Sequence, residues 1–167
     1  MRDESKSQKL ELPFEIISNT LVRVTYKDTD QMGFAYYSNY LVWFEIGRTE
    51  LFRRCGTAYQ DLEKDGIILP VRHCECDYFK SARYDWTIRI ETIVQELTRV
   101  TLTFKYNIYV YPEDELLASG ITKHIFISPD GKIQRAGEKI LSLFTKCSKK
   151  DVDQCLLPLP NVYIKQD

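Results

Sequence analysis

An α+β domain, with one long helix laid on an antiparallel sheet, is the fold class predicted by this 167-residue sequence. Three observations predict it: one stretch with helical spacing early in the chain, four strand-like runs in series after it, and no repeat, low-complexity block or Gly/Ser linker to start a second domain. Hydrophobic residues make up 44% and charged residues 28%, enough to bury one core. We read residues 1–12 as a flexible lead, 13–146 as the domain, and 147–167, with Pro158 and Pro160, as an irregular tail.

Thr20 to Tyr26 alternates apolar and polar residues as a strand does, and the Asp/Thr/Gly-bearing run from Lys27 to Gly33 breaks it. From Ser38 to Cys55 the residues Leu41, Phe44, Ile46, Leu51 and Phe52 recur at helical spacing, with Ser38 or Asn39 as N-cap and Gly56 as the stop. Gly47 inside this helix implies a place where its backbone lies close against a sheet. A short helix over Tyr59 to Lys64 and a turn at Asp65-Gly66 precede the strand-like runs Ile67 to Tyr78, Tyr84 to Glu96, Arg99 to Val110 and Leu116 to Ile127. In the third run Val100, Leu102, Phe104, Tyr106, Ile108 and Val110 share one face, as in a sheet buried on one side. Ala136 to Phe144 reads as a closing helix.

Lys+Arg and Asp+Glu number 23 and 24, a balance that supplies no bulk attraction to nucleic acid or to an anionic membrane. No apolar span reaches membrane length, and the polar stretch Met1 to Gln8 leads into no signal-peptide core. Five scattered cysteines do not read as a disulfide framework, so the expected compartment is the cytoplasm. His73 and His124 fall in different strands without ligand spacing, and Cys74 with Cys76 reads as two small side chains in a sheet, so no metal is expected.

The chemically informative stretch runs from Tyr26 to Tyr40, between the first strand and the long helix. A carboxylate there can face the positive end of a helix, which would bring a base or nucleophile beside a stabiliser of developing negative charge. The competing reading is an ordinary turn in which Asp28, Thr29 and Asp30 bond nearby amides.

The run resembles the signature of the 4-hydroxybenzoyl-CoA thioesterase family, whose members share the hot-dog fold, a long central helix wrapped by an antiparallel sheet. The residues that carry the resemblance are Asp28-Thr29-Asp30, Gly33, Tyr36-Tyr37, Asn39-Tyr40, Phe44-Glu45 and Gly47-Arg48-Thr49-Glu50, then Tyr78 to Asp85 further on, so that it spans about Val22 to Leu143. It implies Asp30 as the catalytic carboxylate, either attacking a thioester carbonyl or acting as general base for water. It also implies an auxiliary role for Tyr37, which stands where relatives carry histidine or tyrosine, against an equal reading of Tyr37 as an interface residue. Ser81 departs from the family's usual proline.

Gly33 and Asn39 belong to the same signature, while Arg83, Arg99 and Lys123 are the basic side chains at strand ends nominated to hold coenzyme A, each of which reads more simply as a solvated face. The activity expected is hydrolysis of an acyl-CoA thioester to the free acid and coenzyme A, without a cofactor. The alternatives are a non-catalytic acyl-CoA-binding protein and a hot-dog hydratase or dehydratase, the latter weakened by the absence of a histidine near Asp30. Family members pair sheet edges and place the site at the subunit boundary, so a homodimer or homotetramer is expected.

Overall fold

A computed structural model describes residues 8–147. Its elements are β1 (Ile17–Arg23), α1 (Asn39–Arg54), α2 (Tyr59–Lys64), β2 (Val71–Tyr78), β3 (Thr87–Leu97), β4 (Thr101–Val110), β5 (Leu116–Ile125) and α3 (Gly137–Lys146). The five strands form one sheet in the order β1-β3-β4-β5-β2, antiparallel throughout. The hot-dog plan expected from the sequence is therefore present, although the meander β3-β4-β5 occupies the middle of the sheet and the free edges are β1 and β2.

The helix buries Tyr40, Trp43, Phe44, Gly47, Arg48, Leu51 and Phe52, which recur three and four apart and so form one face. This corrects the stripe read from the sequence: Leu41 is partly exposed and Ile46 only half-buried, while aromatic rings fill the core. Under that face lie Ile88, Ile90, Thr92 and Val94 of β3 and Leu102, Phe104, Tyr106 and Ile108 of β4. The Phe44 ring stacks on that of Tyr106 at 4.3 Å. Gly47 meets the expectation placed on it, because a Cβ there would stand 2.3 Å from Thr92 Oγ1 and 2.9 Å from Ile90 Cγ2.

β1 begins earlier than expected, since its inward residues at the start are Ser18 and Thr20 rather than apolar ones. Arg54 of α1 reaches both hydroxyls. The lead is also not free over its described part: Leu10 donates to Leu97 O at 2.8 Å, and Leu10 and Leu12 pack against the core. The tail after Cys147 lies outside the described residues. No described helix is long and apolar enough to cross a membrane.

Candidate active site

The segment from Thr25 to Asn39 is built almost wholly from short-range bonds. Asp28 accepts from the Thr25 amide at 2.8 Å and its hydroxyl at 2.7 Å, which ends the extended chain and forms a 3-10 turn at Tyr26–Asp28. Asp30 N donates to Phe34 O at 2.9 Å and Gly33 N to Asp30 O at 3.0 Å, and Thr29 pairs with Ala35. Gly33 closes this loop at φ +76, a region that favours glycine. The Asn39 side chain donates to Asp28 O at 2.7 Å, so its amide braces the loop from the start of α1.

Two longer ties orient the loop on the fold. Ala35 N donates to Ala82 O at 2.8 Å, and the buried Tyr40 hydroxyl in turn accepts from Ala82 N at 2.9 Å. Helix, the segment preceding β3 and the Asp30 loop are thereby fastened in sequence.

Asp30 itself is half-buried, and its Oδ1 accepts from the Met32 amide at 2.8 Å. It lines an open cleft of about 760 Å³ with Tyr26, Thr29, Gln31, Gly33 and Tyr84. Tyr26 and Tyr84 meet edge to face across it, centroids 5.9 Å apart. The amides that open α1, those of Asn39, Tyr40 and Leu41, already donate to the carbonyls of Tyr36, Tyr37 and Ser38. These three amides are therefore not free to serve as the oxyanion donor, which the sequence left open as a backbone amide near a helix start in this chain or its partner.

The candidate residues separate into three groups. Asp30 and Gly33 line the cleft, and Arg83 lies beside it with its guanidinium 4.8 Å from the Phe34 ring centroid. Tyr37 and Asn39 belong to the loop but not to the cleft wall: Tyr37 is exposed, its ring is 4.5 Å from that of Tyr36, and its carbonyl accepts from the Tyr78 hydroxyl at 3.1 Å. Tyr36 is the tyrosine whose titration feels the carboxylate. Its hydroxyl is held above the usual range first by the hydrogen bond with Tyr37 and in smaller part by the charge of Asp30.

Arg99 and Lys123 are not brought to Asp30 within one chain. Arg99 stands in the β3–β4 turn, bonded to Glu138 of α3, the length of β3 away from the loop, on the order of 35 Å at ~3.3 Å per residue. Lys123 is opposite Thr103 near that same end, and alternates with Thr122 and His124, whose side chains are buried.

Tyr26 and Tyr84 were not singled out from the sequence, yet the strand register places them. β1 pairs with β3 with Arg23 opposite Thr87, and continuing outward by three residues on each chain brings Tyr26 to Tyr84. His73 is exposed beside Glu75, whereas His124 is buried and bonded to Thr122 and to Leu69 O. Among the described residues no group of three His, Cys, Asp or Glu side chains gathers at metal-binding distance.

With this geometry in hand, residues 32–116 match the model of the thioesterase superfamily. The acyl-CoA thioester hydrolase YbgC of Escherichia coli is 31% identical over 108 residues, covering 65% of this chain and 80% of that protein. The structure of a DHNA-CoA thioesterase from Staphylococcus aureus superposes with a TM-score of 0.73 at 30% identity, over 86% of this chain and 99% of that one. At the level of fold alone, 4-hydroxybenzoyl-CoA thioesterase from Pseudomonas sp. strain CBS-3 gives a TM-score of 0.69 at 22% identity, covering 77% and 99%.

Proposed function

The chain belongs to the thioesterase superfamily, and on that footing we propose that it hydrolyses an acyl-CoA thioester to the free acid and coenzyme A, with Asp30 as the reacting carboxylate. The observation that carries the assignment of Asp30 is its setting. One carboxylate oxygen is fastened by the Met32 amide, the loop is tied to α1 and to the segment before β3, and the side chain lines a cleft open to solvent. A carboxylate held this way presents its other oxygen without first reorganising.

Two routes use that oxygen. In one it adds to the thioester carbonyl, the tetrahedral adduct expels coenzyme A thiolate, and water then cleaves the mixed anhydride. In the other it takes a proton from water as the water adds to the same carbonyl. Tyr37, joined to Tyr36 and through it to the field of Asp30, supplies an auxiliary hydroxyl. Neither route requires a metal or redox cofactor.

The cleft is open on one side in a single chain, and the early amides of α1 are engaged. We therefore assign its closure, and the oxyanion donor, to a second copy. The edge strand β2 suits that role because Val71 and Tyr78 on it, and Phe79 just beyond, are exposed while Tyr78 is already bonded to the site loop. A homodimer built on β2 is the minimal assembly, a homotetramer its extension, and the cytoplasm the proposed compartment.

The test is release of free thiol from short-chain, long-chain and aryl acyl-CoAs at equal concentration, with Asp30→Asn as control. Hydrolysis of at least one substrate class that Asp30→Asn loses supports the reading. No release from any substrate assigns the protein instead to acyl-CoA binding without turnover, and equal release by the variant removes Asp30 as the reacting carboxylate.

A further inference from the structure

At the end of α1 farthest from Asp30 stand two sulfurs that thioester hydrolysis does not use. Cys55 ends α1 and Cys147 ends α3, 92 positions apart in sequence, and their Sγ atoms lie 2.6 Å from one another. Both side chains are buried, at 9% and 3% exposure. Their meeting is enforced by the packing around them. Phe52 of α1 stacks on Phe144 of α3 at 5.8 Å, Ile140 is fully enclosed, and Gly137 sits so tightly on the β3–β4 turn that a Cβ would be 2.1 Å from Thr98 O.

Thiols are weak donors and acceptors, so this pairing contributes little as a hydrogen bond. Two sulfurs brought this near by packed helix ends are, however, within reach of a covalent link. Cys74 and Cys76 provide the contrast, lying two apart on one strand and paired to Thr122 and Gly120 of β5 rather than to another cysteine.

We propose that Cys55 and Cys147 form a reversible disulfide that staples α3 to the end of α1 under oxidising conditions. With a small disulfide such as oxidised glutathione as oxidant, one protein thiolate attacks a sulfur of it, breaking that bond and releasing one small thiol. The second protein thiolate then attacks the mixed disulfide and expels the second small thiol. The two protein thiols are oxidised, the small disulfide is reduced, and the two protons end on the released thiols. Because the link closes a long loop, it acts by restricting the unfolded chain. It leaves the chemistry alone, since the 16 residues of α1 set it about 24 Å from the loop end of the helix at 1.5 Å per residue.

The full-length protein, treated with oxidised glutathione, alkylated and digested with trypsin, tests this. Cleavage after Arg54 and Lys146 starts separate peptides at Cys55 and Cys147, and cleavage after Arg72 and Lys150 puts the remaining cysteines in others. The expected result is a linked pair of the Cys55 and Cys147 peptides, removed by dithiothreitol, with a rise in Tm of roughly 5–10 °C and unchanged thiol release from acyl-CoA. Cys147→Ser should abolish the rise, and the map of the wild-type protein stands if that variant fails to fold. Glutathione adducts without the linked pair, a link from Cys147 to Cys155, or a linked protein with no gain in Tm would each overturn the proposal.

Discussion

The two ends of α1 use similar residues for opposite purposes. At the N-terminal end Tyr26, Tyr36, Tyr37 and Tyr84 stand in solvent around a loop that holds a carboxylate by one oxygen. At the C-terminal end Phe52 sits among the rings of Tyr59, Phe104 and Phe144 at 5.6, 6.1 and 5.8 Å. Beside them a buried chain of bonds runs from Tyr106 through Thr122 and His124 to Leu69 O. One end keeps polar groups available and the other consumes them. On the proposed role of Asp30, chemistry and the tightest packing lie at opposite ends of one helix, and changes at one end should leave the other largely untouched.

The sharpest way to break that separation is Asp30→Asn. Activity should fall about 10²- to 10⁴-fold, the range for removing a positioned base or nucleophile, with Tm within a degree or two of wild type by calorimetry. Next comes Phe52→Ala, which empties the middle of the ring cluster and should lower unfolding free energy by roughly 3–5 kcal/mol in urea titration, with kcat per folded molecule retained.

Acid is the third probe. Burial holds the His124 imidazole neutral, lowering it from 6.5 to about 4. The unfolded chain therefore binds the proton first as pH falls, and this contribution is complete above about 6.5 and lost progressively down to about 4. At 1.36 kcal/mol per pH unit it reaches roughly 3 kcal/mol. Urea unfolding at pH 7 and pH 4 should show a steeper loss for wild type than for His124→Asn. The smallest effect belongs to Asn39→Ala, which removes one brace of the Asp30 loop at about 1 kcal/mol. A thiol-release drop of tenfold or less should accompany a Tm lowered by a few degrees, so this variant shows that the N-terminal end also carries a small share of the stability.

What the sequence made legible follows the range of the interactions involved. The long helix, the short helix over Tyr59–Lys64 and the one-faced strand containing Phe104 and Tyr106 are local patterns, and Gly47 announced its own close approach. The start of β1 was hidden because Ser18 and Thr20 face inward, made acceptable there by the Arg54 guanidinium arriving from α1. At the site, the loop and Asp30 were visible as a motif. The pairing of Tyr26 with Tyr84 required the β1–β3 register, and excluding Arg99 and Lys123 required knowing that the turn after β3 points away from the loop. Cys55 and Cys147 read as unrelated thiols until α1 and α3 were packed together.

The nearness of α1 to its sheet at Gly47 also restricts where an acyl group can go. With Thr92 Oγ1 and Ile90 occupying the space a single methyl would need, and Phe44 flat on Tyr106 a turn earlier, helix and strands are in direct contact at this crossing and leave no room there for a hydrocarbon tail. On the proposed function, a long tail would pass around this contact, over the outside of the helix or across into a neighbouring molecule. Substrate length would then be gauged by residues that the folding core never touches, free to vary without endangering it.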